Sequence, residues 1–212
     1  MNYHVTTLKA LVFLVMSLTV LSGSAGAASA SASTSITPRA IVEKFHGNLL
    51  AVMKEADALG IKGRYSRLAP EIEQTFDFPK MIKIASGDFW NAASVEQQKN
   101  LSDAFTKLSI STYASQFDGF SGEAFETVGE RPGPQQTLLV ETRILRPQKS
   151  PVGITYVLRM NNEQWQIVDV LLDNSISELA VRRSEYRMVL KNSGVDGLVK
   201  VLNEKAEAMT AK

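Results

Sequence analysis

Few side chains in this sequence are of the types that carry out acid–base or nucleophilic chemistry. The 212 residues include two histidines, His4 and His46, and no cysteine. Nucleophilic catalysis needs a serine, cysteine or lysine beside a base, and neither a G-x-S-x-G nor a P-loop motif is present. A lone histidine at the flank of a helix is usually structural or exposed, so we interpret His46 in that way. The sequence predicts no metal site, no cofactor and no enzymatic activity.

Asp169 is the acid with the most unusual surroundings. It lies within residues 165–172, WQIVDVLL, where most of its neighbours are apolar. A carboxylate in such a place must find a partner or have a raised pKa. Two interpretations remain open: a structural salt bridge to an arginine such as Arg143 or Arg183, which we favour, and a catalytic base.

A group of arginines follows shortly afterwards, in residues 182–187, RRSEYR. Such a group can bind a phosphate or dock a partner, but a run of charges is more often a solvated helix face. We favour the solvated face.

These residues lie on a predicted strand and the helix that follows it. Residues 165–172 predict a strand with both faces apolar, because Val168, Val170 and Leu172 alternate with Trp165, Ile167 and Leu171. The turn formers 173–175 lead into a helix that starts near Ile176 and that Gly194 should end. A short helix over residues 196–209 completes the chain.

The preceding chain predicts helices first and strands afterwards. Thr37 and Asp77 are candidate N-caps, and Ser94 and Gln97 form a capping-box sequence. The predicted helices cover residues 38–56, 64–73, 79–86 and 94–117, and the predicted strands cover residues 123–130, 136–146 and 152–160. With residues 165–172 the strands form a four-stranded antiparallel meander. The fold class is therefore α+β, with N-terminal and C-terminal helices packed on one face of a curved antiparallel sheet.

The N-terminal residues predict export. An apolar run over residues 8–21 is followed by small residues, as in a secretory signal peptide, although an uncleaved membrane anchor is the alternative. We expect residues 1–30 to be a cleaved signal peptide, residues 31–38 a flexible lead-in and residues 39–209 a single domain. Cleavage removes Lys9 and leaves 22 basic and 22 acidic residues, a balance that does not suggest nucleic-acid binding.

Four motifs in the same order resemble a known family. They are F-D-F-x-x-M-I-x-x-A-S-G-x-x-W over residues 76–90, T-Y-A-x-x-F-x-x-F-S-G over 112–122, W-Q-I-V-D-V-x-x-D over 165–173, and S-x-x-x-x-x-R-x-E-Y over 177–186 followed by G-V-D-G-L. This pattern is similar to the MlaC-type periplasmic lipid carriers, also called toluene-tolerance auxiliary proteins of ABC transporters. Residues 172–186 are closer to the hopanoid-associated, HpnM-like branch.

The resemblance implies a soluble periplasmic protein that shuttles a phospholipid or a hopanoid. Its implied partners are the lipid, an inner-membrane ABC transporter complex and an outer-membrane lipoprotein complex. Each buried CH₂ contributes about 0.8 kcal/mol, so such a carrier must enclose an acyl chain. The residues that we expect to line the pocket are Phe78, Trp90, Leu108, Tyr113, Ile154, Tyr156, Leu158, Val170 and Ile176.

Two other functions remain open at this point. One is an enzyme on a similar fold that acts on a polycyclic lipid, with Asp169 or Asp88 as its base. The other is a periplasmic chaperone or adaptor with a solid core and a surface groove. Core packing and an apolar pocket use the same residue types, so composition alone does not separate these functions.

Overall fold

The computed structural model describes residues 36–211, and the expected signal peptide lies outside them. Within the described range, five helices precede a sheet and one long helix follows it. The helices are α1 (Pro38–Lys54), α2 (Ala56–Thr75), α3 (Phe78–Ser86), α4 (Asp88–Ala92), α5 (Val95–Gln116) and α6 (Glu178–Thr210). The strands are β1 (Ala124–Pro132), β2 (Thr137–Arg146), β3 (Lys149–Asn161), β4 (Gln164–Leu172) and β5 (Ile176–Ser177). No helix among these residues is both long and apolar enough to span a bilayer.

The predicted helix caps are confirmed by their hydrogen bonds. Thr37 accepts a hydrogen bond from the backbone N–H of Ala40 at 3.2 Å, and Asp77 accepts one from Lys80 at 3.1 Å. The Ser94 hydroxyl accepts from the Gln97 N–H, and the Gln97 side chain accepts from the Ser94 N–H, both at 3.1 Å. Because these caps satisfy N–H groups that the helices leave unpaired, they fix the starts of α1, α3 and α5.

The sheet has five strands, so the prediction of four was wrong by one short strand. All neighbours are antiparallel and follow chain order from β1 to β5. Ile176 and Ser177 remain extended and pair with Leu172 and Leu171 before α6 begins at Glu178. Ser177 is the N-cap of α6, and its hydroxyl accepts from the Ala180 N–H at 3.0 Å. The predicted helix start near Ile176 therefore falls two residues too early.

The sheet buries one face beneath the helices. Val140 pairs with Tyr156 on this face, and Thr142 pairs with Ile154; all four side chains are buried. The opposite face carries exposed ion pairs such as Arg143–Glu126 at 2.8 Å. This arrangement matches the predicted alternation of β3 and gives a curved α+β fold with helices against the apolar face of the sheet.

A β-bulge at Val168 breaks the strict alternation of side chains that we predicted for β4. Val157 pairs with Asp169 but Leu158 pairs with Ile167, so Val168 has no direct partner on β3. The extra residue shifts the alternation by one position. As a result, Ile167 and Val170 both join the main core, although strict alternation would place them on opposite faces.

Two glycines bend the long helices. Gly60 in α2 has φ 57° and ψ −179°, and Gly194 in α6 has φ 65° and ψ −166°. These backbone angles are essentially restricted to glycine. The prediction placed breaks near both glycines, but each break is a kink inside a longer helical element, and the helix predicted over residues 64–73 is one part of α2. Buried Arg64 ties this bend to α5 by donating to the carbonyls of Ala56 and Ala114.

Candidate functional site

A cavity of about 190 Å³ lies between the apolar face of the sheet and helices α3, α5 and α6. Its walls are mostly apolar and aromatic, and most of the lining residues belong to the same residue cluster that forms the protein core. Gln116 and Leu172 are exposed members of its lining and mark the mouth, at the ends of α5 and β4. The cavity therefore extends from this mouth into the centre of the domain.

Six of the nine residues predicted to line a pocket line this cavity. They are Phe78, Leu108, Tyr113, Ile154, Tyr156 and Val170. They come from α3, α5, β3 and β4, so distant parts of the chain meet here. The role of these residues in binding remains a prediction.

The other three predicted residues lie elsewhere. Leu158 is completely buried in the packed core, because β3 runs past the end of the cavity. Trp90 is half-buried on α4, against the outside of the core. Ile176 belongs to β5 rather than to a helix and is 52% exposed, because the two-residue strand turns it away from the interior.

The sequence prediction missed much of the cavity lining. The missed residues include Phe105, Thr112, Phe117, Glu178, Leu179, Arg182 and Tyr186. The α6 members recur at helical spacing from Glu178 through Arg182 to Tyr186, which is a signal for one face of a helix. The polar members could not be found by a search for apolar wall residues.

Phe76 and Phe78 are held in place by the segment between α2 and α3. The Asp77 N–H donates to the Ile167 carbonyl at 2.9 Å, and Phe76 forms an isolated bridge with Ile167 of β4. The two rings stack with their centroids 5.5 Å apart. They separate the cavity from a more open pocket of about 460 Å³, which both rings also line.

A buried polar pair joins α1 to Tyr156, the β3 residue that lines the cavity. The Tyr156 hydroxyl lies 2.9 Å from Nε2 of His46, and Phe125 stacks on the imidazole at 4.0 Å between ring centroids. Burial raises the pKa of Tyr113 and Tyr156, so both phenols stay neutral. Burial lowers the pKa of His46 to about 4, which outweighs the attraction of nearby Glu43 for a charged imidazole.

We predict that His46 makes the stability of the protein depend on pH between about 4 and 6.5. An unfolded histidine has a pKa of about 6.5, so in this range the unfolded chain binds a proton that the folded chain excludes. The free energy of unfolding should therefore be highest above pH 6.5 and fall by up to about 3 kcal/mol as the pH drops to 4. Urea denaturation of wild type and His46→Phe at several pH values measures this contribution, because the variant lacks the titrating group.

The imidazole can also be observed directly by NMR. It should remain neutral at pH 5.5 in the folded protein. An imidazole that titrates near pH 6.5, or an identical pH dependence in His46→Phe, would contradict the prediction.

The mouth carries charged side chains on the first turns of α6. Nη1 of Arg182 donates to Glu185 at 3.0 Å, and its Nη2 lies 3.6 Å from the Glu178 carboxylate. One turn further along α6, Tyr186 is 3% exposed and lines the cavity. Its hydroxyl has no hydrogen-bond partner among residues 36–211. The mouth thus carries charged groups, whereas most of the other lining side chains are apolar or aromatic.

Asp169 has a structural role, but its hydrogen-bond partners do not include the arginine that we predicted. Its carboxylate accepts hydrogen bonds from the Ser177 hydroxyl at 2.6 Å and from the N–H groups of Val170 and Leu179 at 2.8 and 3.2 Å. Arg143 instead pairs with Glu126, and Arg183 lies beside Gly87. Asp169 therefore helps to hold the start of α6 against β4. Neither Asp169 nor Asp88 lines the cavity.

Comparisons with known proteins agree with this architecture. The family model described as MlaC protein matches residues 43–204. A phospholipid-binding protein from Ralstonia solanacearum, solved in complex with a phospholipid, has a similar fold, with a TM-score of 0.71 and 24% sequence identity over 82% of this chain and 98% of that chain. No curated protein matches the sequence. Among residues 36–211, no group of three or more His, Asp or Glu side chains is placed to hold a metal ion. The family match spans most of the sequence, and the chain belongs to the MlaC protein family.

Proposed function

We propose that this protein is a non-enzymatic lipid carrier that takes an acyl or polycyclic lipid into the cavity. The observation that carries the proposal is an apolar cavity in the centre of the domain, open at a polar mouth. Transfer of a chain of about 16 carbons out of water is favourable by roughly 12 kcal/mol, so a carrier needs such an enclosure. The phospholipid in the related Ralstonia solanacearum protein supports the same ligand class.

The cavity must widen to hold a whole lipid. At about 190 Å³ it is smaller than the roughly 300–1,000 Å³ typical of small-molecule sites. The stacked Phe76 and Phe78 rings are the partition between the cavity and the outer pocket, and their rotation would join the two spaces. We therefore propose that these rings move when a lipid binds.

Membership of the family also suggests a wider role for the protein in the cell. We propose that the mature protein works in the periplasm after removal of residues 1–30 and shuttles lipid between an inner-membrane ABC transporter complex and an outer-membrane lipoprotein complex. An NTF2-like sheet around the pocket is part of this proposal. The HpnM-like resemblance of residues 172–186 makes a hopanoid the alternative to a phospholipid.

Native mass spectrometry of the mature protein, purified from its own periplasm without detergent, tests the proposal. A mass increment of one lipid per protein is expected, and organic extraction identifies the lipid. The lipid-free protein should also take up lipid from phosphatidylethanolamine liposomes. Lipid-free protein that refuses lipid from these liposomes would contradict the proposal and favour a peptide-binding adaptor.

A further inference from the structure

We infer that one exposed face of α6 docks the protein on the surface of a bilayer that contains anionic lipids. This basic face consists of Arg183, Arg187 and Lys191 together with the exposed apolar side chains of Val181 and Met188. None of these five residues lines the cavity, so the inference concerns a separate surface and goes beyond the proposed function.

The three cations of the basic face form a stripe along the helix. Arg183, Arg187 and Lys191 follow one another at intervals of four residues, and all three are exposed. This interval places side chains above one another on one side of a helix, about 6 Å apart along its axis. None of the three forms an ion pair with another residue of the range 36–211. The stripe therefore presents positive charge that the fold leaves uncompensated.

The acidic residues of the same segment lie on another side of the helix. The carboxylates of Glu178 and Glu185 are 3.6 and 3.0 Å from the guanidinium of Arg182, at the mouth of the cavity. Residues seven positions apart share one side of a helix, so both acids lie away from the stripe.

The charges on the neighbouring helices do not cancel the stripe either. Arg183 lies beside Gly87, where α3 ends and α4 begins. This glycine is preceded by exposed Lys83, one turn earlier on α3, and followed by exposed Asp88. Because these two charges have opposite signs, they leave the excess positive charge of the stripe in place.

Exposed apolar side chains lie beside the cations. Met188 is 62% exposed and Val181 is 37% exposed, and their spacing of seven residues places them on one side of α6. Met188 is three positions before Lys191, a spacing at which side chains are neighbours on a helix surface. A merely solvated face, which the sequence favours for residues 182–187, needs no such apolar side chains.

This combination fits a bilayer better than a protein partner. A helix at a membrane surface places apolar side chains among the headgroups, while long basic side chains reach the lipid phosphates. The centre of a protein–protein interface, in contrast, is depleted in charged residues, and lysine is rare there. The basic face has three cations around two apolar side chains and therefore lacks such a centre.

Co-sedimentation of the mature protein with vesicles tests the inference. The vesicles contain phosphatidylcholine alone or phosphatidylcholine with an equal amount of phosphatidylglycerol. Wild type should bind only the anionic vesicles, and about 1 M NaCl, where the Debye length is about 3 Å, should release it. The triple variant Arg183→Gln, Arg187→Gln, Lys191→Gln should bind them on the order of 100-fold more weakly, because each cation near the surface contributes about fivefold.

The matched control removes the same charge from other surfaces. Lys62→Gln, Lys99→Gln and Lys205→Gln together also delete three exposed cations, and this variant should bind anionic vesicles within about threefold of wild type. Equal losses in the two triple variants would overturn the inference, because net charge and not the basic face would then explain binding.

A fluorescent label tests the contact of the apolar side chains. The sequence has no cysteine, so Met188→Cys and Val95→Cys each accept a single environment-sensitive dye such as NBD. Val95 is 85% exposed at the start of α5 and serves as the control. Anionic vesicles should shift the emission of the dye at position 188 to shorter wavelength and leave the dye at position 95 unchanged. The same emission with and without vesicles at position 188 would overturn the inference.

The inference and the proposed function fail in different ways. Wild type that does not bind anionic vesicles would overturn the inference and favour an acidic protein as the partner of the basic face. The triple variant at positions 183, 187 and 191 should keep wild-type lipid content in native mass spectrometry, because these residues lie outside the cavity lining. Vesicle binding by a protein that never carries lipid would reject the proposed function alone.

Discussion

Replacement of Thr112 by tryptophan is expected to exclude lipid from the cavity and leave the protein folded. Thr112 lies on α5 and lines the cavity, and its hydroxyl donates to the Leu108 carbonyl of the same helix and contacts the sulfur of Met209. An indole at this position would occupy much of the roughly 190 Å³ space. We expect the lipid content of protein purified without detergent to fall at least tenfold, because the apolar wall loses the volume that the chain needs. Lipid extraction and mass spectrometry measure this loss.

The control for this change lies on the same helix. Val95 is 85% exposed at the start of α5, so Val95→Trp should retain wild-type lipid content. Thr112→Trp should also melt within a few degrees of wild type. If Thr112 were part of a filled core, overpacking would destabilise the protein by about 1–3 kcal/mol. Such destabilisation with unchanged lipid content would count against the cavity as the binding site.

Replacement of Asp169 by alanine is expected to be among the most destabilising changes at a polar position. The carboxylate accepts three hydrogen bonds, from the Ser177 hydroxyl and from two backbone N–H groups, in a partly buried place. Its loss leaves those donors unpaired where β4 meets α6. We expect the free energy of unfolding to fall by about 2–4 kcal/mol, which urea denaturation measures.

Asparagine at position 169 separates this structural role from catalysis. An amide oxygen can still accept from the backbone N–H groups, so Asp169→Asn should lose only about 1 kcal/mol and keep full lipid binding. Asp118→Ala, in an exposed stretch after α5, should change stability by less than about 0.5 kcal/mol. A loss of less than 0.5 kcal/mol in Asp169→Ala would show that the carboxylate does not secure α6.

Local rules predicted the features that depend on a few neighbouring residues. The caps at Thr37, Asp77 and Ser94 follow from short side chains that accept from the first N–H groups of a helix. The buried face of β3 follows from strict alternation through Ile154 and Tyr156. Each of these features depends on residues within one segment, so it can be predicted without knowledge of the rest of the fold.

Features that depend on two segments could not be predicted in the same way. The bulge at Val168 exists only in the register between β3 and β4, so it is not visible in the β4 sequence alone. Leu158 and Ile154 are both apolar and lie on the same strand face, yet only Ile154 borders empty space. Where a core stops and a cavity begins is decided by how closely opposing elements approach, and that distance is not encoded by residue type.

The shared boundary of cavity and core links ligand occupancy to the lifetime of the protein. Phe76, Phe78 and Tyr156 belong to both, so any molecule in the cavity contacts the side chains that hold the domain together. A ligand that binds only the folded state stabilises it by about 2.7 kcal/mol at 100 times its dissociation constant. Proteases cleave the transiently opened state, so the emptied protein should be degraded faster than the loaded one. The degradation rate of the protein would then indicate what fraction of its molecules contains a ligand.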